Sequence, residues 1–250
     1  MDIGGHRTKD ISMFPKVTPL VKNILIINVL MFLATMVIAP WWKDQMAGFF
    51  ILSKQFGPWQ PVSSMFMHGG FNHILFNMFG VFIFGSNLER VWGAKRFLIF
   101  YMFTGLGAFA LHYAVVYLQM TQVQDLLTDA QMQEVFENGY AILQKNQNYS
   151  QYEMAQYNRL LNVPVVGASG ALFGLLFAFG YLFPNTNLYL MFFPFPIKAK
   201  YFVIGYGLIE LYMAFDTSSG DNVAHFAHLG GMLFGFILLK KWQRDQENFY

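Results

Sequence analysis

Cysteine is absent from this 250-residue chain, which excludes disulfides, thiolate metal sites and a cysteine nucleophile. Charge is scarce as well. Only 12% of residues are charged, against about a quarter in an ordinary soluble domain. The formal net charge is +2, so no electrostatic feature supports a nucleic-acid partner. No His-Glu-x-x-His pattern is present, and no acid is expected near the helices that carry His68, His73, His225 and His228, so no metal site is predicted. Internal repeats and a second domain are lacking too. The polar stretch Met1 to Thr18 has no cleavable signal pattern, and the apolar run that follows reads as a retained membrane anchor.

What the chain does have is apolar bulk: 29 Phe, 15 Met and 13 Tyr in a sequence that is 55% hydrophobic. A soluble core of this size could not hide that surface behind so few charges, so the expected solvent is a lipid bilayer. A helix crosses the hydrocarbon core in about 20 mostly apolar residues. Six segments meet that pattern, at roughly 20–40, 71–88, 97–118, 167–183, 201–215 and 222–240. The predicted fold is therefore an all-α bundle of six transmembrane helices. Residues 1–19 form a cytoplasmic N-terminal segment, 20–240 the membrane domain and 241–250 a cytoplasmic tail.

Basic residues orient the bundle. With the N-terminus inside, the outer segments hold only Lys43, Lys54, Lys145 and Arg159 of the sixteen basic residues. Both termini are thus expected in the cytoplasm. Residues 119–166 interrupt the apolar pattern with a polar, Gln-rich and acidic insertion on the outer side. Thr121 to Asn138 lacks Gly and Pro and is expected to be helical. The insertion reads either as a connector or as a lid or docking platform. Asn148-Tyr149-Ser150 within it matches a glycosylation triplet, a pattern common by chance.

Polar groups sit where lipid would not tolerate them alone. Ser169 lies in Gly167-Ala168-Ser169-Gly170, at the outer end of the fourth segment. Serine is a weak nucleophile without a base beside it. Gly170 and Gly174 form a small-xxx-small face, and Gly231 and Gly235 in the sixth segment have the same spacing. Either pair alone is ordinary helix packing. Next to Ser169 and to His228, the two pairs bring a short serine side chain within reach of a base. His225 and His228 share a helix face. His228 is the better base and His225 a supporting or water-binding group. His73 and Asn77 share a face of the second segment and could donate to a developing oxyanion, with Gly167 and the Ser169 amide beside them. Asp221 is about two turns before His228 and cannot bond it directly. Glu210 is the one acid inside a predicted span. It reads as snorkelling, as bonded to a Tyr, or as tuning the histidines; a Ser–His dyad is the simpler model.

Together these residues resemble the rhomboid family of intramembrane serine proteases. Gly167-Ala168-Ser169-Gly170 matches that family's nucleophile motif. Ala227-His228-Leu229-Gly230-Gly231 through Gly235 resembles its histidine helix, and His68 through Asn77 its second-helix signature. The resemblance covers roughly residues 20–240. It implies a cavity open to the outer side, Ser169 as nucleophile, His228 as base and then acid, and His73 with Asn77 lining an oxyanion hole. It also implies no cofactor, single-span membrane proteins as substrates and cleavage near the outer end of their helix, beside small side chains. Three positions depart from the family pattern. Phe173 stands where Tyr is common, Gln60 follows Trp59 in place of Arg, and Glu89 is followed directly by Arg90. The rival expectations are a non-catalytic rhomboid-like protein that binds membrane clients, and a small transporter, which the lack of an inverted repeat disfavours. The compact six-span plan points to a bacterial cytoplasmic membrane. Nothing in the sequence fixes the oligomeric state.

Overall fold

A computed structural model describes residues 11, 15–39, 41–189, 195–215 and 222–247. Arg7, Lys9, Asp221 and most of the loop 216–222 lie outside the described residues, as does the end of the tail. The first helix, α1, spans Pro19–Leu33 and continues as a π-helical turn over Ala34–Ile38. Pro19 opens it, where a missing N–H costs nothing. The orphan amides of Leu20 and Val21 are met by the Glu89 carboxylate, at 3.1 and 2.9 Å. Glu89 thus caps one helix from another, and Arg90 donates to the Lys16 carbonyl at 3.0 Å.

Two short helices follow, α2 (Trp42–Met46) and α3 (Gln60–Ser63). The buried Gln60 holds their loop together. It accepts from the Phe49 amide at 3.0 Å and donates to the Gln45 and Gln55 carbonyls. Helix α4 (Phe71–Gly80) runs through a π-helical turn at Val81–Gly85 into α5 (Ser86–Trp92). Gly93, at φ +76°, turns the chain into α6 (Ala94–Gln124). Helices α7 (Asp129–Gln144) and α8 (Tyr152–Asn162) form the insertion. Next come α9 (Ser169–Leu182), a two-residue antiparallel pair β1 (Asn187–Leu188) and β2 (Ile197–Lys198), α10 (Ala199–Phe215) and α11 (Asn222–Glu247).

Helices α6, α9 and α11 pack most closely and form the centre of the bundle. Among the described residues, three helical stretches, 19–38, 94–124 and 223–245, are long and apolar enough to cross a membrane, and α9 is a shorter apolar helix. Only 28% of the apolar window in 19–38 and 39% of that in 223–245 is buried inside the protein. Leu30, Ile38, Leu208, Tyr212 and Phe236 point outward with many other large apolar side chains. A soluble monomer rarely exposes contiguous apolar surface on that scale, whereas a multi-pass membrane protein requires it.

The stretch 121–138, expected to be helical, is helical in two pieces. Helix α6 ends at Gln124 and α7 restarts at Asp129. Thr128 makes the break. Its hydroxyl accepts from the Gln131 amide, while the Gln131 side chain accepts from the Thr128 amide at 2.9 Å. That reciprocal capping box outweighs the even helix propensity of the stretch. The insertion has its own small core, in which Val135, Leu160 and Leu161 pack against Val116, Met120 and Val123 of α6. Asn158 Nδ2 ties α8 to the Gly139 carbonyl of α7 at 3.1 Å. The Asn148 side chain is likewise spent on the fold, donating to the Ala155 carbonyl and accepting from the Asn158 amide group.

Candidate active site

Ser169 is the first residue of α9, so its backbone N–H and those just after it have no partner inside the helix. The positive end of the helix faces the same space. The loop ahead of the serine is fixed on two sides. Gly48 and Val165 exchange backbone hydrogen bonds at 2.9 and 2.8 Å, and the Gly167 amide donates to the Ser64 carbonyl at 2.9 Å. Gly167 sits at φ +125°, a conformation that L side chains rarely adopt. Close packing brings the next helix in. A Cβ on Gly231 would run into the Gly170 carbonyl oxygen, and one on Gly235 would lie 3.4 Å from Gly174. The two glycine pairs noted in the sequence thus face each other across α9 and α11.

Across that seam His228 Nε2 lies 3.1 Å from Ser169 Oγ. The ring of His228 stacks on Phe173 with centroids 4.1 Å apart and planes 8° from parallel. Phe173 in turn stacks on Tyr206 of α10 at 5.2 Å. The column makes no use of a hydroxyl at position 173, only of the ring face.

On the other side of the imidazole, His228 Nδ1 is 2.8 Å from Glu210 Oε2, and His225 Nδ1 is 2.7 Å from the same oxygen. The buried Glu210 is therefore neither snorkelling nor spent on a Tyr. The expectation that no acid lies near the histidine helices is also wrong, because the acid arrives from α10. Glu210, His225 and His228 each offer a ligand atom within 4.8 Å of one another. Their 2.7 and 2.8 Å separations are hydrogen-bond lengths. Two ligands of one tetrahedral zinc would stand about 3.3 Å apart.

A cavity of about 710 Å³ opens onto Ser169 and His228. Ser169, His228, His73 and His112 line it from the helices, and Tyr152, Gln156 and Arg159 from α8 of the insertion. His73 faces the Gly167 turn, since a Cβ there would lie 2.8 Å from His73 Nε2. The Gly69 amide donates to His73 Nδ1 at 3.3 Å. In the neutral ring the proton then sits on Nε2, the nitrogen nearest the serine loop. Asn77 is not brought to the cavity. Its side chain is buried and donates to the His73 carbonyl at 2.8 Å. His68, in the loop before α4, packs edge-on against His73 at 5.1 Å. Burial, reinforced by the nearby His73, pushes the His68 imidazole down to about 4. A second, small cavity of about 30 Å³ adjoins Ser169, walled by Met65, Gly105, Ala108 and Ala171 among others.

Comparison with known proteins agrees with the motifs. The rhomboid domain family model matches residues 55–242. The protein named "Putative rhomboid protease YdcA" of Bacillus subtilis is 25% identical over 246 residues, covering 95% of this chain and 98% of its own. RHOMBOID-like protein 5 of Arabidopsis thaliana is 29% identical over 76% of this chain and 47% of its own length. Rhomboid protein 1, mitochondrial, of Saccharomyces cerevisiae is 28% identical over 70% of this chain and 39% of its own length. The chain thus spans about half or less of the plant and yeast relatives, and nearly all of the bacterial one. A family match over residues 55–242, on a helical bundle with apolar faces turned outward, makes this chain a multi-pass membrane protein of the rhomboid family.

Proposed function

We propose that the protein is an intramembrane serine endopeptidase that cuts membrane-spanning segments of other proteins by a Ser169–His228 dyad. The observation that carries this reading is the 3.1 Å approach of His228 Nε2 to Ser169 Oγ at the wall of a cavity. The distance is within the reach a general base needs. Ser169 Oγ attacks the substrate carbonyl carbon as its proton passes to His228 Nε2. The oxyanion is held by the Ser169 amide at the start of α9 and by His73 Nε2–H near Gly167. The C–N bond then breaks, and the leaving amine takes the proton from Nε2. Water repeats the sequence on the acyl-enzyme, with His228 again taking and returning a proton, and frees Ser169 and a carboxylic acid product. Asn77 Nδ2 gives one N–H to the His73 carbonyl and keeps a second N–H that could join the oxyanion hole.

The small cavity beside Ser169 holds about one methyl group, which favours small side chains at the cut. In this reading six spans cross the bilayer, 71–92, 169–182 and 199–215 joining the three longer stretches, with both termini cytoplasmic. The membrane domain is 20–240, flanked by cytoplasmic 1–19 and 241–250. The insertion roofs the cavity on the outer side, and single-span substrates enter from the lipid. A bacterial cytoplasmic membrane fits the near full-length match to the Bacillus relative.

The test is labelling of the purified protein by a fluorophosphonate probe in liposomes. Wild type should label, and Ser169→Ala and His228→Ala should not, with melting temperatures unchanged. Equal labelling of Ser169→Ala, or none of folded wild type, would overturn the reading and favour a rhomboid-like protein that binds clients without cutting them.

A further inference from the structure

Among the described residues, the titratable group that the dyad leaves unused and that lies nearest to it is Glu210. It is 4% exposed, it comes from α10, and two histidines of α11 converge on one of its oxygens. A buried carboxylate facing two imidazole nitrogens needs a reason, because its isolated charge is costly away from water. We infer that Glu210 is the positioning residue of the site, extending the dyad to a Ser169–His228–Glu210 triad held in place by His225; this rests on the protease reading above.

The argument is one of tautomers. A neutral imidazole carries one N–H and one lone pair. A carboxylate oxygen is an acceptor only and can take two N–H bonds. With Oε2 at 2.8 Å from His228 Nδ1 and 2.7 Å from His225 Nδ1, both Nδ1 atoms donate. The lone pair of His228 is therefore on Nε2, the atom 3.1 Å from Ser169 Oγ. That is the tautomer a general base requires. When the proton from Ser169 arrives, the resulting imidazolium is paired with a carboxylate already in contact. The Phe173 ring fixes the plane of His228, at 8°, but carries no hydrogen bond and cannot choose between tautomers. Glu210 supplies that choice. His225 has a second task. Its bond to Oε2 holds the acid at the one rotamer that also meets His228, and its ring lies 6.1 Å from the His228 ring at 86°, clear of the stack.

The experiment compares wild type, Glu210→Gln and His225→Ala in liposomes, using the fluorophosphonate probe over a range of concentrations. Glutamine keeps the size of the side chain but can present its NH2 to Nδ1 and impose the wrong tautomer. In Ser–His–Asp enzymes the equivalent Asp→Asn change lowers kcat by roughly 10⁴-fold. Glu210→Gln should lower the maximal labelling rate by about 10²- to 10⁴-fold, leaving half-saturation and melting temperature near wild type. His225→Ala should cause a smaller loss. Labelling of Glu210→Gln within about threefold of wild type would overturn the inference. A second measurement needs no activity: ¹⁵N-histidine NMR of wild type, assigned by loss of signals in His228→Ala. His228 should show a protonated Nδ1 and a lone-pair Nε2; the reverse pattern overturns the inference even if the enzyme is active. Wild type that does not label but shows the expected pattern removes the protease reading and leaves the Glu210 contact standing.

Discussion

Gly231→Ala is the most demanding test of how the site is assembled. The added methyl is small, but its Cβ would collide with the Gly170 carbonyl oxygen and lie 2.9 Å from the Gly170 carbonyl carbon and 3.3 Å from the Gly174 nitrogen. All three are backbone atoms, so no rotamer can relieve the contact. Restoring ordinary separation near 3.5 Å requires α9 and α11 to part by roughly 1 Å or more. Ser169 and His228 sit on either side of that seam, at 3.1 Å, and have no slack. Overpacking of this kind costs about 1–3 kcal/mol. That corresponds to a fall in melting temperature of roughly 2–12 °C for a chain of this size. The effect on chemistry should be larger than the effect on stability, because a misplacement of about 1 Å can cost about 10²-fold in rate. The assay is fluorophosphonate labelling against thermal melting, with Gly235→Ala as the internal control. At Gly235 the nearest atoms are the Phe100 ring at 3.2 Å and Gly174 at 3.4 Å, so a methyl group is nearly accommodated. Labelling should fall about 10²-fold in Gly231→Ala and much less in Gly235→Ala. Equal labelling of the two variants, or wild-type labelling of Gly231→Ala, would refute the view that backbone contact between these helices sets the serine–histidine distance.

Two further outcomes are expected. Gly167→Ala combines a disfavoured backbone, φ +125°, with a Cβ 2.8 Å from His73 Nε2; strain of about 1–3 kcal/mol should appear in melting, with a clear loss of labelling, and unchanged labelling would show that His73 does not need that position. His68 binds its proton less readily folded, at about 4, than unfolded, near 6.5, so the unfolded state holds more protons between those values. Stability should be complete above about pH 6.5 and fall by up to about 3 kcal/mol on acidification to pH 4, a dependence that His68→Phe should flatten in melts at pH 7 and pH 4.5.

Much of the site could be read from the chain. Ser169 and His228 each stand beside a small-xxx-small pair, and local sequence is enough to show that such faces allow close helix approach. The break at Thr128 is also legible in the chain, since Thr-x-x-Gln opens α7. For Asn77 the i,i+4 rule gives the face shared with His73 and does not say what its amide will bond. Its nearest acceptor is the His73 carbonyl in its own helix.

The sequence alone determined the class of solvent and the polar residues inside it, because hydropathy, glycine spacing and helical period are properties of contiguous residues. Tertiary structure decided the partner of Glu210. That carboxylate comes from α10 and its two histidines from α11, so their meeting depends on the rotation of one helix about its axis relative to the other. No pattern within either segment encodes that angle. The stack of Tyr206, Phe173 and His228 across three helices sets it, and only the packed bundle reveals that the buried Glu210 is aimed at His228.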